Sequence, residues 1–137
     1  MSVAKLDLEI VTPERRVVSQ SVDEVVLPGS EGYLGVLPGH APLLTALVPG
    51  VISVRADGRE RFLAVSGGFL EVLRGRVTVL ASTCESAEEI DVERARRARE
   101  KAEATLKSQA SEHEFRRAEL KLKRALARIQ VHERGEG

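Results

Sequence analysis

Apolar and polar residues alternate in short runs through the first part of the chain. Residues 6–10 are one such run, and this pattern is typical of a strand with one buried face. The pairs Asp57-Gly58 and Arg74-Gly75 each separate two apolar runs and predict β-hairpins, because glycine accepts a positive φ. Further strands are predicted at residues 16–18, 22–27 (stopped by Pro28-Gly29), 51–55, 61–65, 69–73 and 77–81. Short strands with frequent turns indicate an antiparallel β-sandwich or barrel.

The pattern changes after Gly75, because neither Gly nor Pro occurs again before Gly135. Both residues interrupt helices, so an unbroken helical tail is predicted. Asp91 is the expected N-cap of a first helix, and Ser111 with Glu114 forms the capping-box pattern that begins a second. The apolar residues at helical spacing are Val92, Ala95, Ala98, Ala102 and Leu106 in the first helix, Phe115, Ala118, Leu122, Ala125 and Ile129 in the second, and a thinner second stripe of Leu120, Ala127 and Val131.

The predicted fold class is therefore α+β. An N-terminal antiparallel β-sandwich over residues 1–85 is followed by a C-terminal antiparallel two-helix hairpin over residues 86–137, turning at residues 108–111. The first helix offers its partner mainly alanine methyl groups. A buried CH₂ group contributes only ~0.8 kcal/mol, which is little against the entropy of ordering. We therefore expect the hairpin to dock on the head or on another protein, and to be able to move.

Charge and composition exclude several functions. The 21 Lys and Arg residues balance 21 Asp and Glu residues, so electrostatics favours neither nucleic acid nor an anionic membrane as a partner. Cys84 is the single cysteine, which excludes an internal disulfide and fits a reducing compartment. The N-terminal residues lack a signal-peptide pattern, and no apolar run reaches transmembrane length.

Candidate catalytic and metal-binding residues are isolated from one another in the sequence. Cys84 has no neighbouring His and Ser66 has no evident base, so an enzyme is not predicted. Ser66-Gly67-Gly68 lacks the Lys of a phosphate-binding loop and opens a strand, so we interpret it as a tight bend. His40 is far in sequence from the other histidines, so no metal site is predicted.

Two glycine-containing motifs point to a family. Residues 29–45 read GSEGYLGVLPGHAPLLT, and residues 66–72 read SGGFLEV. In this order, and with a β-rich head and a helical hairpin, they resemble the epsilon subunit of bacterial F-type ATP synthases. The resemblance covers essentially the whole chain. It implies a non-catalytic subunit at the foot of the central stalk, bound to the gamma subunit and to the membrane-embedded ring of c subunits.

The same resemblance implies a role and a location. Such a subunit couples rotation of the c-ring to the catalytic head and restrains wasteful ATP hydrolysis. It lies at the cytoplasmic face of the bacterial cell membrane as a peripheral protein, held there through the complex. A β-sandwich adaptor with a coiled-coil handle fits the tail equally well but leaves the loop at residues 31–42 without a role. An ATP-binding regulatory module outside a synthase is a further alternative. Co-purification with a large membrane ATPase would separate these alternatives.

The loop predicted at residues 31–42 is the expected contact with the c-ring. Its glycines and prolines serve backbone geometry. Glu31 and His40 are polar residues in an otherwise apolar segment, and with Pro42 they are the residues that the resemblance places against the ring.

A possible nucleotide site is implied by IDVERA at residues 90–95, which resembles the ATP-binding IDxxRA motif of some bacterial epsilon subunits. The matching positions are Glu85, Asp91, Arg94, Arg124 and Arg128. A further Arg of that pattern is Lys101 here, which cannot make the forked contact of a guanidinium. The alternative is that Asp91 is only an N-cap, and that the arginines pair with surface acids such as Glu119 or Glu93, each pair contributing ~0.2–0.5 kcal/mol.

The resemblance also implies a mechanism for the tail. Folded against the head, the hairpin leaves the stalk free to turn, whereas in an extended form it blocks rotation in the hydrolytic direction. ATP, as a regulatory ligand, would favour the folded form. The basic residues expected to engage acidic surfaces of the alpha and beta catalytic subunits in the extended state are Arg116, Arg117, Lys121 and Lys123.

Overall fold

In the part of the chain that the structure describes, eight strands form one hydrogen-bonded sheet and two helices follow them. The structure, a computed structural model, describes residues 4–136. The strands are β1 Leu6–Val11, β2 Arg16–Val22, β3 Glu24–Gly29, β4 Gly32–Val36, β5 Leu43–Ala56, β6 Arg59–Leu73, β7 Arg76–Ala81 and β8 Cys84–Ser86. A 3₁₀ turn at Ala87–Glu89 leads to α1 Val92–Leu106 and α2 Glu112–Glu136. The α+β fold class is confirmed.

The strands follow the order β2-β1-β7-β6-β5-β3-β4, with β8 paired to β6. Every pair is antiparallel except β1 and β7, which run parallel with Leu8 opposite Val77. The prediction of a purely antiparallel arrangement was wrong at this pair. Turn signals report only strands that are neighbours in sequence, whereas parallel strands meet through a long connection.

The two predicted hairpin turns are confirmed. Asp57 and Gly58 have φ of +53° and +76°, and Arg74 and Gly75 have φ of +51° and +78°. A type I′ turn requires a positive φ at both central residues, and its twist matches that of the flanking strands. These turns connect β5 to β6 and β6 to β7.

β6 is a single strand where the sequence indicated two strands and a bend. Gly67 and Gly68 have φ of +114° and +146°, so they bend the strand without ending it. β6 pairs with β8 before this point and with β7 after it. A Cβ atom at Gly68 would lie 2.9 Å from the Cα atom of Ala81, so the position also requires the absence of a side chain.

Two further boundaries were predicted wrongly. β3 does not stop before Pro28 but continues through Gly29, with the register against β5 shifting between Val26 and Gly29. Pro28, which has no N–H group to donate, falls within that irregularity. The supposed loop at residues 31–42 contains β4, which pairs with β3 so that Gly32 lies opposite Gly29.

The main core lies inside the folded sheet. Its largest fully buried side chains are Leu6, Leu8, Ile10, Leu27, Ile52, Leu63 and Leu70. Cys84 lies among them, and burial raises the pKa of its thiol to about 12. Leu6, Leu8 and Ile10 alternate with more exposed residues, which confirms the strand predicted from their spacing.

Both predicted helix starts are confirmed. Asp91 Oδ1 accepts a hydrogen bond from the Arg94 backbone N–H at 3.1 Å, which satisfies a donor that the helix leaves unpaired. Ser111 Oγ accepts from the Glu114 N–H at 3.2 Å and donates to the Glu114 carboxylate at 3.1 Å. The chain reverses between α1 and α2 at residues 107–111.

The hairpin packs against the head through the last part of α2. The buried residues of the helix–helix seam are Ala95, Ala102, Ala118, Ala125 and Ile129. A separate cluster on the sheet is formed by Val51, Ala64, Ile90, Ala127 and Val131, with Phe62 and Ala87 packed against it. Ala127 and Val131 of the thin second stripe on α2 therefore dock on β5 and β6, whereas Leu120 of that stripe remains exposed. Arg128 also pairs with Glu85 of β8 at 2.6 Å, and the Arg134 guanidinium lies 4.6 Å from the centre of the Phe62 ring.

Candidate functional site

A groove of about 490 Å³ runs between α1 and α2. It is lined by Ala98, Lys101, Ala102 and Thr105 of α1 and by Glu114, Arg117, Ala118, Lys121, Arg124, Ala125 and Arg128 of α2. The alanines explain the space, because a methyl group on each helix does not fill the gap that longer side chains would close. The volume is within the range of small-molecule sites.

The walls of the groove are mainly cationic. Five of the lining residues are Lys or Arg, and Glu114 is the one acid among them. Within residues 4–135, Arg128 is the only one of these five bases in an ion pair, with Glu85. Long cationic side chains that converge on one concave surface create a positive potential. The groove is therefore suited to an anion.

The predicted nucleotide residues are only partly brought together. Arg124, Arg128 and Lys101 line the groove, and Glu85 contacts it through its ion pair with Arg128. Asp91 and Arg94 are not among the lining residues. The Asp91 carboxylate is already used as the N-cap of α1, as the alternative interpretation required.

Among the described residues, Arg94, Arg124 and Arg128 do not form the predicted ion pairs with Glu93 or Glu119. Glu93 pairs with Arg96 at 2.8 Å, and Arg128 reaches across the chain to Glu85. Arg124 makes no ion pair among the described residues. The long-range pair could not be read from helical spacing, because its partners are 43 positions apart.

The residues predicted to contact the catalytic subunits lie on different sides of α2. Arg116 is exposed and pairs with Glu112 at 2.7 Å. Arg117 and Lys121 instead line the groove, and Lys123 is exposed outside it. Arg117 and Lys121 thus belong to the same surface as Arg124, which the sequence reasoning did not recognise. Their spacing of three and four residues was the available signal.

The residues predicted to contact the c-ring lie in the connections on either side of β4. Glu31 is exposed in the turn between β3 and β4, and Pro42 is exposed directly before β5. His40 is half-buried, and its Nδ1 lies 2.7 Å from the carbonyl oxygen of Ala41. The His40 N–H donates to the Leu37 carbonyl at 3.1 Å, which holds the preceding turn.

An exposed apolar face on β5, β6 and β7 was missed by the sequence reasoning. Leu44 is 73% exposed, Phe69 59% and Leu80 55%. Phe69 lies directly opposite Leu80 in the sheet. The signal was present at residues 69–73, where Leu70 and Val72 are buried and the outward positions still carry Phe69 and Leu73. Contiguous exposed apolar residues mark interaction surfaces.

Residues 4–136 contain neither a membrane-spanning helix nor a cluster of metal-binding side chains. Neither described helix combines the length and the apolar character needed to cross a membrane. In the same part of the chain, no group of three or more His, Cys, Asp or Glu side chains is arranged to hold a metal ion.

Comparison with known proteins identifies relatives over nearly the whole chain. Residues 5–87 match the family described as "ATP synthase, Delta/Epsilon chain, beta-sandwich domain", and residues 88–133 match "ATP synthase, Delta/Epsilon chain, long alpha-helix domain". The chain is 51% identical to the ATP synthase epsilon chain of Desulforamulus reducens, covering 92% of this chain and 96% of the relative. It is also 51% identical to that of Moorella thermoacetica, covering 94% and 97%.

Solved structures agree with these relatives. A chain of the Euglena gracilis mitochondrial ATP synthase, solved in an assembly with its c-ring, is 27% identical and superimposes with a TM-score of 0.78 over 98% of this chain and 83% of that one. A chain of the Tetrahymena thermophila enzyme is 12% identical with a TM-score of 0.60, covers 97% of both chains, and shows the shared fold alone. The sandwich, the helical hairpin and the sequence relatives together show that this chain belongs to the ATP synthase delta/epsilon chain family.

Proposed function

We propose that the chain is the epsilon subunit of a bacterial F-type ATP synthase and couples c-ring rotation to the catalytic head without catalytic residues of its own. The exposed apolar face is the observation that carries this proposal. The outward face of β6 is covered by the hairpin at Phe62 and Ala64, but it is left open at Phe69 and Leu73. An apolar face of this kind supports a permanent protein partner.

The partner assigned to that face is the gamma subunit. The exposed connections carrying Glu31, His40 and Pro42 are assigned to the c-ring. Such contacts would place the protein at the cytoplasmic side of the membrane through the complex rather than through the lipid.

The coupling role can be tested with Phe69→Asp. The substitution places a charge in the proposed gamma interface, so less of the subunit should co-purify with gamma. The isolated subunit should keep its melting temperature, because Phe69 is exposed. Leu126→Asp is the matched control, since Leu126 is 41% exposed on α2 and outside the face. Unchanged recovery of the Phe69→Asp variant with gamma would contradict the assignment.

The inhibitory role is assigned to the hairpin. Its seam is made largely of alanines, which supports two helices that can separate from each other and extend. In the extended state Arg116, Arg117, Lys121 and Lys123 engage acidic surfaces of the catalytic subunits. Reversing the charge of Arg116 and Lys123 together should raise ATP hydrolysis by the assembled enzyme, while leaving the groove intact. Hydrolysis equal to that of the unmodified enzyme would argue against this contact.

ATP is the proposed regulatory ligand of the folded hairpin, bound with its phosphates in the cationic groove. Binding to the folded form alone would stabilise that form by mass action. Titration of ATP into the isolated subunit should therefore raise the melting temperature of the helices. Arg124→Glu combined with Arg128→Glu should abolish the effect, and an unmodified subunit that shows no shift would exclude ATP as the ligand.

A further inference from the structure

Tyr33 of β4 reaches past β3 to the backbone of β5. The register of β3 against β5 shifts between Val26 and Gly29, where five residues of β5 lie opposite two of β3. Val51 is one of the five, so β3 offers it no opposite residue. Its backbone N–H instead donates to the Tyr33 hydroxyl at 2.9 Å. The hydroxyl therefore satisfies a donor that the irregular strand pairing leaves open.

The hydroxyl end of Tyr33 is held closely, whereas its ring is open to solvent. A Cβ atom at Gly50 would lie 2.7 Å from the Tyr33 hydroxyl oxygen and 2.7 Å from the Pro28 Cβ, so the absence of a side chain at this position lets both approach β5. Tyr33 as a whole is 60% exposed. Only Gly32 separates it from Glu31 in the turn between β3 and β4. Tyr33 therefore joins an accessible turn to an interior position of β5.

Val51 is part of the surface on which α2 docks. Its side chain is 7% exposed and lies in the cluster with Ala127 and Val131. While α2 covers this cluster, water has little access to the adjacent Val51 N–H, and a buried donor without an acceptor costs more free energy than a donor that water can reach. Release of the hairpin exposes Val51 and lets water replace the hydroxyl. The Tyr33 hydrogen bond therefore stabilises the docked hairpin more than the released one.

We propose that Tyr33 couples the β3–β4 turn to docking of the hairpin, so that a partner bound at Glu31 favours the docked form. The inference rests on the proposed function, which assigns the c-ring to this turn. A partner that immobilises the turn also fixes β4, and the Tyr33 hydroxyl then stays on the Val51 N–H. The docked and the released hairpin are the two states whose equilibrium shifts. By linkage, release of the hairpin weakens the contact with the ring by the same factor.

The first measurement is amide hydrogen exchange on the isolated full-length subunit. Tyr33→Phe keeps the aromatic ring and removes the hydroxyl. Exchange at Val51, Ala127 and Val131 should accelerate by about fivefold, as expected for loss of one hydrogen bond, while the β1 amides stay protected. The matched control Thr45→Val removes a hydroxyl from the same strand outside the docking cluster, where its hydrogen bond is to a neighbouring carbonyl. This control should leave exchange in α2 unchanged.

The second measurement compares the assembled enzyme with its catalytic portion detached from the c-ring, at one ATP concentration. In the unmodified protein, the ring should slow exchange at Glu31 and Tyr33, and should also slow it at Ala127 and Val131 by up to about fivefold. In Tyr33→Phe, the ring should still protect the turn but should no longer protect α2. Separation of the two effects would assign the coupling to the hydroxyl.

Three results would overturn the inference. Exchange in α2 of the isolated Tyr33→Phe variant could equal that of the unmodified subunit, which would show that the hydrogen bond does not support docking. The ring could protect the turn and have the same effect on α2 in both proteins, which would show that the hydroxyl does not carry the coupling. If the ring protects no amide of the turn, the ring contact of the proposed function fails and this coupling fails with it, whereas the ATP regulation is unaffected.

Discussion

Gly135, the only glycine within α1 or α2, lies against Ala87 at the end of α2. A Cβ atom at position 135 would approach the Ala87 Cβ to less than 3.0 Å and its Cα to 3.7 Å. Non-bonded carbon atoms prefer separations of about 3.5–4.0 Å. The docked hairpin therefore cannot accept Gly135→Ala unless the helix end or the 3₁₀ turn moves. We predict that this substitution favours release of the hairpin from the head.

The size of the effect follows from two opposing terms. Overpacking of this kind costs about 1–3 kcal/mol. Alanine improves helix propensity by about 0.8–1.0 kcal/mol over glycine, but this gain applies to the helix whether it is docked or released, so it cancels in the docking equilibrium. Docking should then weaken by about 5- to 150-fold. If the last turn of α2 frays, the weakening of docking should lie near the lower end of this range.

Amide hydrogen exchange measures this equilibrium directly. In the Gly135→Ala variant, exchange should accelerate around Ala127 and Val131, which are buried against the sheet, while the β1 amides stay protected. The matched control is the same substitution combined with Ala87→Gly, which removes the opposing methyl group. The double variant should recover much of the protection. The single variant Ala87→Gly is the fourth member of this double-mutant cycle.

Two results would refute the reasoning. Exchange in the Gly135→Ala variant could equal that of the unmodified protein, which would mean that the helix end adjusts without cost. The loss of protection could also persist in the double variant, which would mean that the Ala87 methyl group is not its cause. In the assembled enzyme, release of the hairpin should appear as stronger inhibition of ATP hydrolysis.

Three further predictions concern the head and the start of α1. Asp91→Ala should destabilise α1 by about 1 kcal/mol, because the Arg94 N–H loses its acceptor, and Asp91→Ser should retain most of the stability by circular dichroism. A hydrogen bond from Lys5, and a second from the Asp57 backbone N–H, lower the pKa of Asp23. The ionised Asp23 carboxylate stabilises the fold fully above its unfolded pKa of about 3.9, and this stabilisation is lost as the pH falls through the lower pKa of the folded state. In Asp23→Asn, the free energy of unfolding measured with urea should therefore depend less on pH in that acidic range. Cys84, with a pKa of about 12, should resist alkylation at pH 8 until denaturant is added, as mass spectrometry can show.

The parts of the fold that the sequence predicted correctly depend on local physics. The Asp57-Gly58 turn needs a positive φ at two successive residues, and the Asp91 cap needs an acceptor three residues before a free N–H. Both requirements can be met only by a few residue types, so the residue types indicate the structure. The two-helix hairpin was predicted in the same way, from the helical spacing of apolar residues and from the caps at Asp91 and Ser111.

The parts that could not be predicted depend on contacts between distant residues. The parallel pairing of β1 with β7 and the continuity of β6 through Gly67 have no local signature. The groove also needed the structure, because helical spacing places Arg117 and Lys121 on a face without saying what that face meets. Only the fold shows that this face adjoins α1 instead of solvent alone.

The hairpin is held by two interfaces of different character, and this difference decides which one a ligand can control. α2 docks on the head through branched side chains such as Val51 and Val131, whereas the α1–α2 seam is formed mainly by alanines. At ~0.8 kcal/mol per buried CH₂, the seam is the weaker interface. The phosphates of ATP in the groove would link Lys101 of α1 to the cations of α2, and so would reinforce the seam. Ligand binding should therefore protect α1 amides from exchange more than it protects the docked end of α2.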